Sequence, residues 1–459
     1  MSEKKNRILF FMATGSPIGG VATWLDRACS ELGNRGFDPF VALVRGPRTH
    51  DPDVYRTYHP ALRSIVVDGR GLNRESRIRA CEREIKRVAP SVVLPLGVLD
   101  AADAAFRYKA TRVQTHVVGR AQGNLPPMLA DLEDRREGFD QVVCVGEMTR
   151  QFLVRHAAFR EDRVCHIANG ASEPTHPRTQ SADDAPLRLG YVGRLTNGDK
   201  RVLDIPPFCH ALEGLGVPFQ LTIVGSGPSE DELREQLRCF GDRVRVTGAL
   251  PGHEVYSEIL PNLDVLLLFS ASETFGIVLA EAMMNGVVPV TSRYIGSQAQ
   301  QLVVEEKHGL AFDVADPSEA ARCVQRLHWD RSLLRRLAEA GQNHAQGDLS
   351  WKRCFDRWAD VLNQVTARPP VANCPQVSLA TRMGSSRLDR IRIPESFRDG
   401  LRRLRRATVG PGIAPGGEEW PLFSRHHTPE RLAVIEEQCR QLESDARRQL
   451  GLETALLKS

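Results

Sequence analysis

Short apolar runs alternate with helix-like stretches along most of this chain, and that alternation narrows the possible folds more than any other feature. In the first part the runs fall at 8–13, 40–44, 65–68, 92–96, 113–118, 142–145 and 164–167; in the second at 188–192, 221–224, 244–246, 265–269, 287–290 and 310–312. Helical spacing fills the gaps, as at 230–239 and 318–328. Runs this short, apolar throughout and separated by helices, read as parallel strands covered on both faces. A polar, Pro-containing break at 172–186 divides the series in two. The expectation is an α/β chain of two Rossmann-like halves, with a ligand at the carboxyl ends of the strands.

A length of 459 residues suits two or three domains, and a net charge of +4 gives no reason to expect nucleic acid as a partner. The ten cysteines include no pair three residues apart, so they show no zinc spacing. No leader-like start and no apolar run of about 18 residues is seen, so the expectation is a reduced, cytoplasmic protein.

The chemistry concentrates in 270–290, which begins Ser270-Ala271-Ser272-Glu273-Thr274-Phe275-Gly276-Ile277. Glu273 stands in a polar turn, and Glu281 lies inside an apolar helical run. Thr274, Phe275 and Gly276 open that helix, whose first amides lack intrahelical partners and favour an anion. Glu273 reads either as a cap or as a ligand to hydroxyls. Glu281 reads either as a solvated residue or as a buried carboxylate that needs a partner.

The segment from Ser270 to Ser292 resembles the Glu-x7-Glu signature of the retaining glycosyltransferases of family 4 (group 1), with the GT-B fold. The resemblance implies two Rossmann-like parallel-sheet domains facing each other across a cleft, plus here a C-terminal helical and linker extension. It implies Glu273 at the donor sugar, Glu281 at the ribose, and the amides of Phe275, Gly276 and Ile277 at the diphosphate. Arg194 and Lys200, after the first strand of the second half, match the family's two diphosphate-holding cations, with Arg201 a rival for the second place. Such cations stabilise the charge that grows on the leaving group.

The turn Gly225-Ser226-Gly227 reads as a base-side loop or a tight strand–helix turn, and Gly19-Gly20 as a loop toward the phosphates or a plain helix start. His116 reads as a residue near the transferred sugar or as a core histidine. The near P-loop at 193–201 has Asp199 intervening and Arg201 in place of a hydroxyl residue, which excludes a triphosphatase. Where the family carries Gly-Gly and then a Glu, this chain reads Ile295-Gly296-Ser297-Gln298-Ala299-Gln300.

The expected organisation is an N-terminal acceptor-side domain at 1–175, a C-terminal donor-side domain at 186–350, and a helix at 351–367 crossing back to the first. Trp351, Phe355 and Trp358 would lie on one face of that helix. Beyond it, 368–459 forms a basic linker and helical extension. Residues 381–410 hold nine Arg and three acidic residues, a composition suited to an anionic membrane surface on the inner face or to an acidic patch of the same chain. Thr428-Pro429 should start a last helix whose apolar stripe docks on its own chain or on a second copy.

The expected activity is hexosyl transfer from a nucleotide diphosphate sugar to a glycan or lipid-linked acceptor, with no metal and no cofactor. The alternatives are a nucleotide-sugar epimerase or phosphorylase on the same fold, and a non-catalytic nucleotide-sugar-binding scaffold.

Overall fold

The computed structural model describes residues 6–371 apart from 16, 18, 112, 113, 175, 177 and 180, then 397, 400, 401 and 404, and finally 420–450 apart from 425. Apart from Phe397, Gly400, Leu401 and Leu404, the basic stretch 381–410 lies outside the described residues. Among the described residues no helix is long and apolar enough to cross a membrane.

The described residues form two compact units. One runs to Val145 and adds Thr149–Ile167 and Phe355–Glu436; the other holds Gly146–Met148, Ala168–Cys354 and the chain from Glu437. The N-terminal unit has seven strands: β1 (Arg7–Ala13), β2 (Asp38–Arg45), β3 (Ser64–Asp68), β4 (Val92–Leu96), β5 (His116–Ala121), β6 (Gln141–Cys144) and β7 (Val164–His166). Every pairing is parallel, in the order β3-β2-β1-β4-β5-β6-β7.

The C-terminal unit has six: β8 (Leu187–Val192), β9 (Phe219–Val224), β10 (Val244–Gly248), β11 (Val265–Leu268), β12 (Val288–Ser292) and β13 (Leu310–Phe312). They are parallel in the order β10-β9-β8-β11-β12-β13. Both orders reverse once, between β1 and β4 and between β8 and β11. At such a reversal the connections leave toward opposite faces, which opens a crevice at the carboxyl edge.

Burial explains the apolar runs. Ile8 to Phe11 in β1 and Val265 and Leu266 in β11 are sealed from solvent, because helices cover both faces. In the N-terminal unit Trp24, on the helix Gly20–Asn34, anchors one face. Its ring centroid lies 6.1 Å from Phe10, 5.8 Å from Phe355 and 5.1 Å from Trp358. Phe355 and Trp358 come from the helix Trp351–Thr366, so from Phe355 onward that helix packs on the N-terminal unit.

His116 requires a correction. The run expected at 113–118 is a strand that begins at His116, not one that ends near it. Register pairs His116 with Val92, the first residue of β4, at the amino edge of the sheet. Its Nε2 lies 2.8 Å from the Arg368 carbonyl and its Nδ1 3.4 Å from that of Ser91. It is a buried structural histidine at the edge away from the strand carboxyl ends.

The tail adds contacts that periodicity did not show. Trp420 is buried in the N-terminal unit, with Nε1 donating to the Arg45 carbonyl at 3.0 Å. The helix Pro429–Gln449 starts where Thr428-Pro429 predicts, and the Thr428 hydroxyl accepts from the Arg431 amide at 3.3 Å. Ile435, Cys439 and Leu442 are all buried, so the chain covers its own apolar stripe.

The break at 172–186 is clamped to the C-terminal unit by Asp264, which is fully buried just before β11. Asp264 accepts from Arg178 at 2.7 Å, from the Ser181 hydroxyl at 2.7 Å, and from the amide and guanidinium of Arg188 at 2.9–3.1 Å. Removing the carboxylate takes the charged partner from two largely buried guanidinium groups, which keep only backbone carbonyls. Asp264→Ala is therefore expected to cost roughly 3 kcal/mol, read as a lower denaturation midpoint. An unchanged midpoint would show that the clamp does not stabilise the unit.

Candidate active site at the carboxyl edge of the second sheet

The chains leaving β8 and β11 meet at the reversal in the C-terminal sheet. The β8 exit carries Arg194, Thr196, Asp199 and Lys200; the β11 exit carries Ser270 and Glu273. Lys200 Nζ donates to Glu273 Oε1, and the Ser270 hydroxyl donates to the same oxygen at 2.7 Å. The Ala271 amide donates to the Asp199 carbonyl at 2.9 Å. On the other side the Ile295 amide donates to the Ala271 carbonyl at 3.0 Å, and the Ser292 hydroxyl to the Ser270 carbonyl at 2.6 Å. The turn that bears Glu273 is thus tied to both neighbouring loops.

The two cations differ in exposure. The Lys200 side chain is 16% exposed and that of Arg194 67%, where it pairs with Asp199 at 2.5 Å. An exposed pair contributes little, so the Arg194 guanidinium is free to re-aim. Desolvation opposes ionisation of Asp199, but the Thr196 hydroxyl and the charges of Arg194 and Lys200 hold its carboxyl below the usual range. Arg201 pairs with Asp204 at 2.7 and 3.0 Å, so Lys200, not Arg201, reaches Glu273.

The helix Ile277–Met284 begins at Gly276, whose φ of 75° lies in the left-handed region, and no described side chain caps it. Phe275 and Gly276 are buried at the helix start, and Ile277 is half-buried. Glu281 is buried on this otherwise apolar helix, and the Tyr256 hydroxyl donates to its Oε1. Burial pushes the Glu281 carboxyl up to about 7, against the pull of that hydrogen bond. Tyr256 sits in a single π-turn, Val255–Ile259, a local geometry that no sequence pattern announced.

The second glycine-rich turn has a packing reason. A Cβ on Gly225 would lie 1.8 Å from the Gly193 carbonyl oxygen, and one on Gly227 2.4 Å from that of Leu195. The β9 exit therefore lies backbone to backbone against the β8 exit that carries Arg194. Gly19, with φ of 146°, and Gly20 start the first helix of the N-terminal unit with open space around both.

Of the expected site residues, the structure brings Lys200 and Glu273 into contact and places Arg194, Phe275, Gly276, Ile277, Glu281, Gly225 and Gly227 at the same carboxyl edge. Gly19 and Gly20 belong to the other unit, and His116 stands at the opposite edge of its own sheet. Ser270, Asp199 and Tyr256 were missed: Ser270 bonds Glu273 and Asp199 bonds Thr196 and Arg194 within turns that carry no period, and Tyr256 meets Glu281 across 25 residues. Among the described residues one His/carboxylate group, Asp134 with His426 and His427, has cation-like spacing. Arg431 already bonds Asp134 at 2.8 Å and His427 at 3.2 Å there.

Residues 18–173 match the model of glycosyltransferase family 4, and residues 172–344 that of the group 1 glycosyl transferases. An exopolysaccharide phosphotransferase of Streptomyces coelicolor is 24% identical over 340 residues, 72% of this chain but 30% of that protein. A D-inositol 3-phosphate glycosyltransferase of Corynebacterium urealyticum is 31% identical over 228 residues, 45% of this chain and 52% of its own. The chain thus spans about a third to a half of the length of these curated relatives. Among solved structures, HepE of Anabaena in complex with UDP superposes with a TM-score of 0.63 at 17% identity, covering 78% of this chain and all of that one. At that identity the likeness establishes the fold, GT-B, and nothing finer.

A raised carboxyl pKa sets a sign for stability. The folded chain keeps the Glu281 proton up to pH of about 7, while the unfolded chain releases it near 4.5. Between those values the unfolded state binds fewer protons, so stability falls as pH rises and levels off above 7. Glu281→Gln should remove that slope, read from unfolding midpoints between pH 4.5 and 8. Identical pH profiles for variant and parent would refute the assignment.

Proposed function

The chain belongs to the group 1 glycosyltransferases of family 4, and from that premise we propose that it moves a hexosyl unit from a nucleotide diphosphate sugar to a glycan or lipid-linked acceptor, with retention at the anomeric carbon. The observation that carries the reading is the Lys200–Glu273 pair across the reversal in the second sheet, beside the uncapped start of the helix Ile277–Met284.

The roles follow from charge. An ammonium has three donors, and Lys200 uses one on Glu273. A diphosphate laid against the amides of Gly276 and Ile277 would take the others and draw in the Arg194 guanidinium. Glu273, released in part from Lys200, would accept from the sugar hydroxyls. Glu281 would accept from the ribose once ionised, with Tyr256 holding its other side. Negative charge grows on the diphosphate as the glycosidic bond breaks, so donors fixed in advance lower the barrier rather than merely tighten binding. Two cations and a helix start supply that neutralisation from the chain itself, so the proposed transfer needs no divalent ion. The uridine diphosphate bound by the Anabaena protein puts UDP-sugars first among the donors to try.

The deciding experiment mixes the full chain with UDP-, GDP-, ADP- and dTDP-sugars, with and without glycan and lipid-linked acceptors. Product is followed by mass, and its anomeric configuration by proton NMR. Acceptor-dependent transfer with retention is expected; donor conversion without acceptor would indicate an epimerase, and binding without turnover a scaffold. The transfer should persist in excess EDTA, and complete loss restored by Mg²⁺ or Mn²⁺ would overturn the metal-free reading.

Lys200→Ala and Arg194→Ala should each lower kcat by about 10²–10³, and the double variant by less than the product, since both serve one diphosphate. Glu273→Ala should abolish transfer while nucleotide binding survives. Wild-type turnover in all three would place the site elsewhere.

A further inference from the structure

The C-terminal helix sends a carboxylate into the same unit that holds the candidate site, and the contact is unusually complete for a residue so far along the chain. Glu443 is only 6% exposed. It accepts from the amides of Gly296 at 3.1 Å, Gln298 at 2.8 Å and Ala299 at 3.4 Å, and from the Ser297 hydroxyl at 3.1 Å. The surrounding face of the helix is docked as well: Cys439 and Leu442 are buried, and Arg447 donates to the Arg293 carbonyl at 3.4 Å.

What Glu443 holds is the loop against the Glu273 turn. Tyr294 and Ile295 lead into it. The Ile295 amide donates to Ala271, and the Ile295 carbonyl accepts from Glu273 at 3.4 Å. The Tyr294 hydroxyl lies 3.2 Å from where a Cβ would stand on Gly276, at the start of the helix Ile277–Met284. Burial first, then the charges of Glu273 and Glu443, push the Tyr294 phenol up. The loop 296–300 itself carries Gln298 and Gln300 and no acid, so the anchoring carboxylate comes from elsewhere in the chain.

We propose that Glu443 is a positioning residue for the donor side, fixing the loop 294–300 and through it the Glu273 turn, so that the C-terminal helix completes the nucleotide-sugar site. The inference rests on the reading of this unit as the donor half. Without Glu443 three amides and a hydroxyl lose their acceptor, and the loop must reorganise or take up water. The turn that presents Glu273 then loses its outer support, and donor binding weakens while acceptor binding does not.

The test uses the full chain with Glu443→Ala, Glu443→Gln and, as a docking control, Leu442→Ala. Four readouts are needed: dissociation constants for UDP, GDP, ADP and dTDP, donor and acceptor KM, melting temperature, and amide hydrogen exchange across 293–301. Glu443→Ala should accelerate exchange in that segment and raise the donor KM and the nucleotide dissociation constant about tenfold, leaving the acceptor KM unchanged. Glu443→Gln, which keeps the volume and one acceptor, should fall between, and it carries the test if the alanine variant does not fold. Leu442→Ala should lower the melting temperature with nucleotide binding within twofold of wild type. Nucleotide binding and donor KM within twofold of wild type in both folded Glu443 variants would overturn the proposal and leave the donor-half reading standing. A wild-type chain that binds none of the four nucleotides would remove that reading, and the proposal with it.

Discussion

A parallel sheet whose strand order reverses sends two neighbouring chains to opposite faces, and the second unit is organised by the gap this leaves between β8 and β11. Lys200 leaves from one side and Glu273 from the other, and their ion pair closes the gap. Both side chains are largely buried, at 16% and 14% exposure, so each charge needs the other as a partner. What keeps them in register is backbone: Ala271 to Asp199 on one flank and Ile295 to Ala271 on the other. The charge pair is therefore imposed by the fold, and a group that must yield its partner to a ligand is best held in that way.

The same gap explains why glycine clusters at strand exits. Gly225 and Gly227 let two successive exits lie within backbone contact, at approaches no Cβ would permit. That compression keeps the Arg194 loop short and its guanidinium at the rim. Gly276 answers a different demand, a left-handed residue that starts the helix without a side chain over its first amides. A glycine-rich turn that looks like a phosphate motif can thus be a packing device one loop away from the helix start proposed to bind the phosphates.

The strands were legible because both faces of a covered parallel sheet must be apolar, and thirteen short runs gave thirteen strands with boundaries off by a few residues. Glu273 and Lys200 were singled out because each stands in a short segment that resembles a family motif; their contact, between residues 73 apart, left no local sign. His116 misled for the complementary reason: a histidine beside an apolar run gives no sign of which end of a strand it occupies, and three residues of slippage moved it to the far edge of the sheet. Tyr256, Asp264 and Glu443 were invisible, since their partners lie at Glu281, at Arg178 and Arg188, and at Gly296 to Ala299. A contact between residues dozens or more apart leaves no period in a sequence.

The tail shows how far that invisibility reaches. Its composition, rich in Arg and broken by Pro and Gly, left a membrane surface, an acidic patch of the same chain and a second copy all open as partners. Yet Trp420 is buried against Gly69, with the Arg77 guanidinium 5.6 Å from its ring, and Arg431 bonds Glu133 at 2.6 Å. Each of these contacts lies within the N-terminal unit, and Glu443 and Arg447, about two and about three turns after Glu436 on the same helix, bond within the C-terminal unit. A carboxylate in the loop itself could satisfy the same amides; here the acceptor comes from a helix 145 residues further along the chain, where no local pattern could announce it.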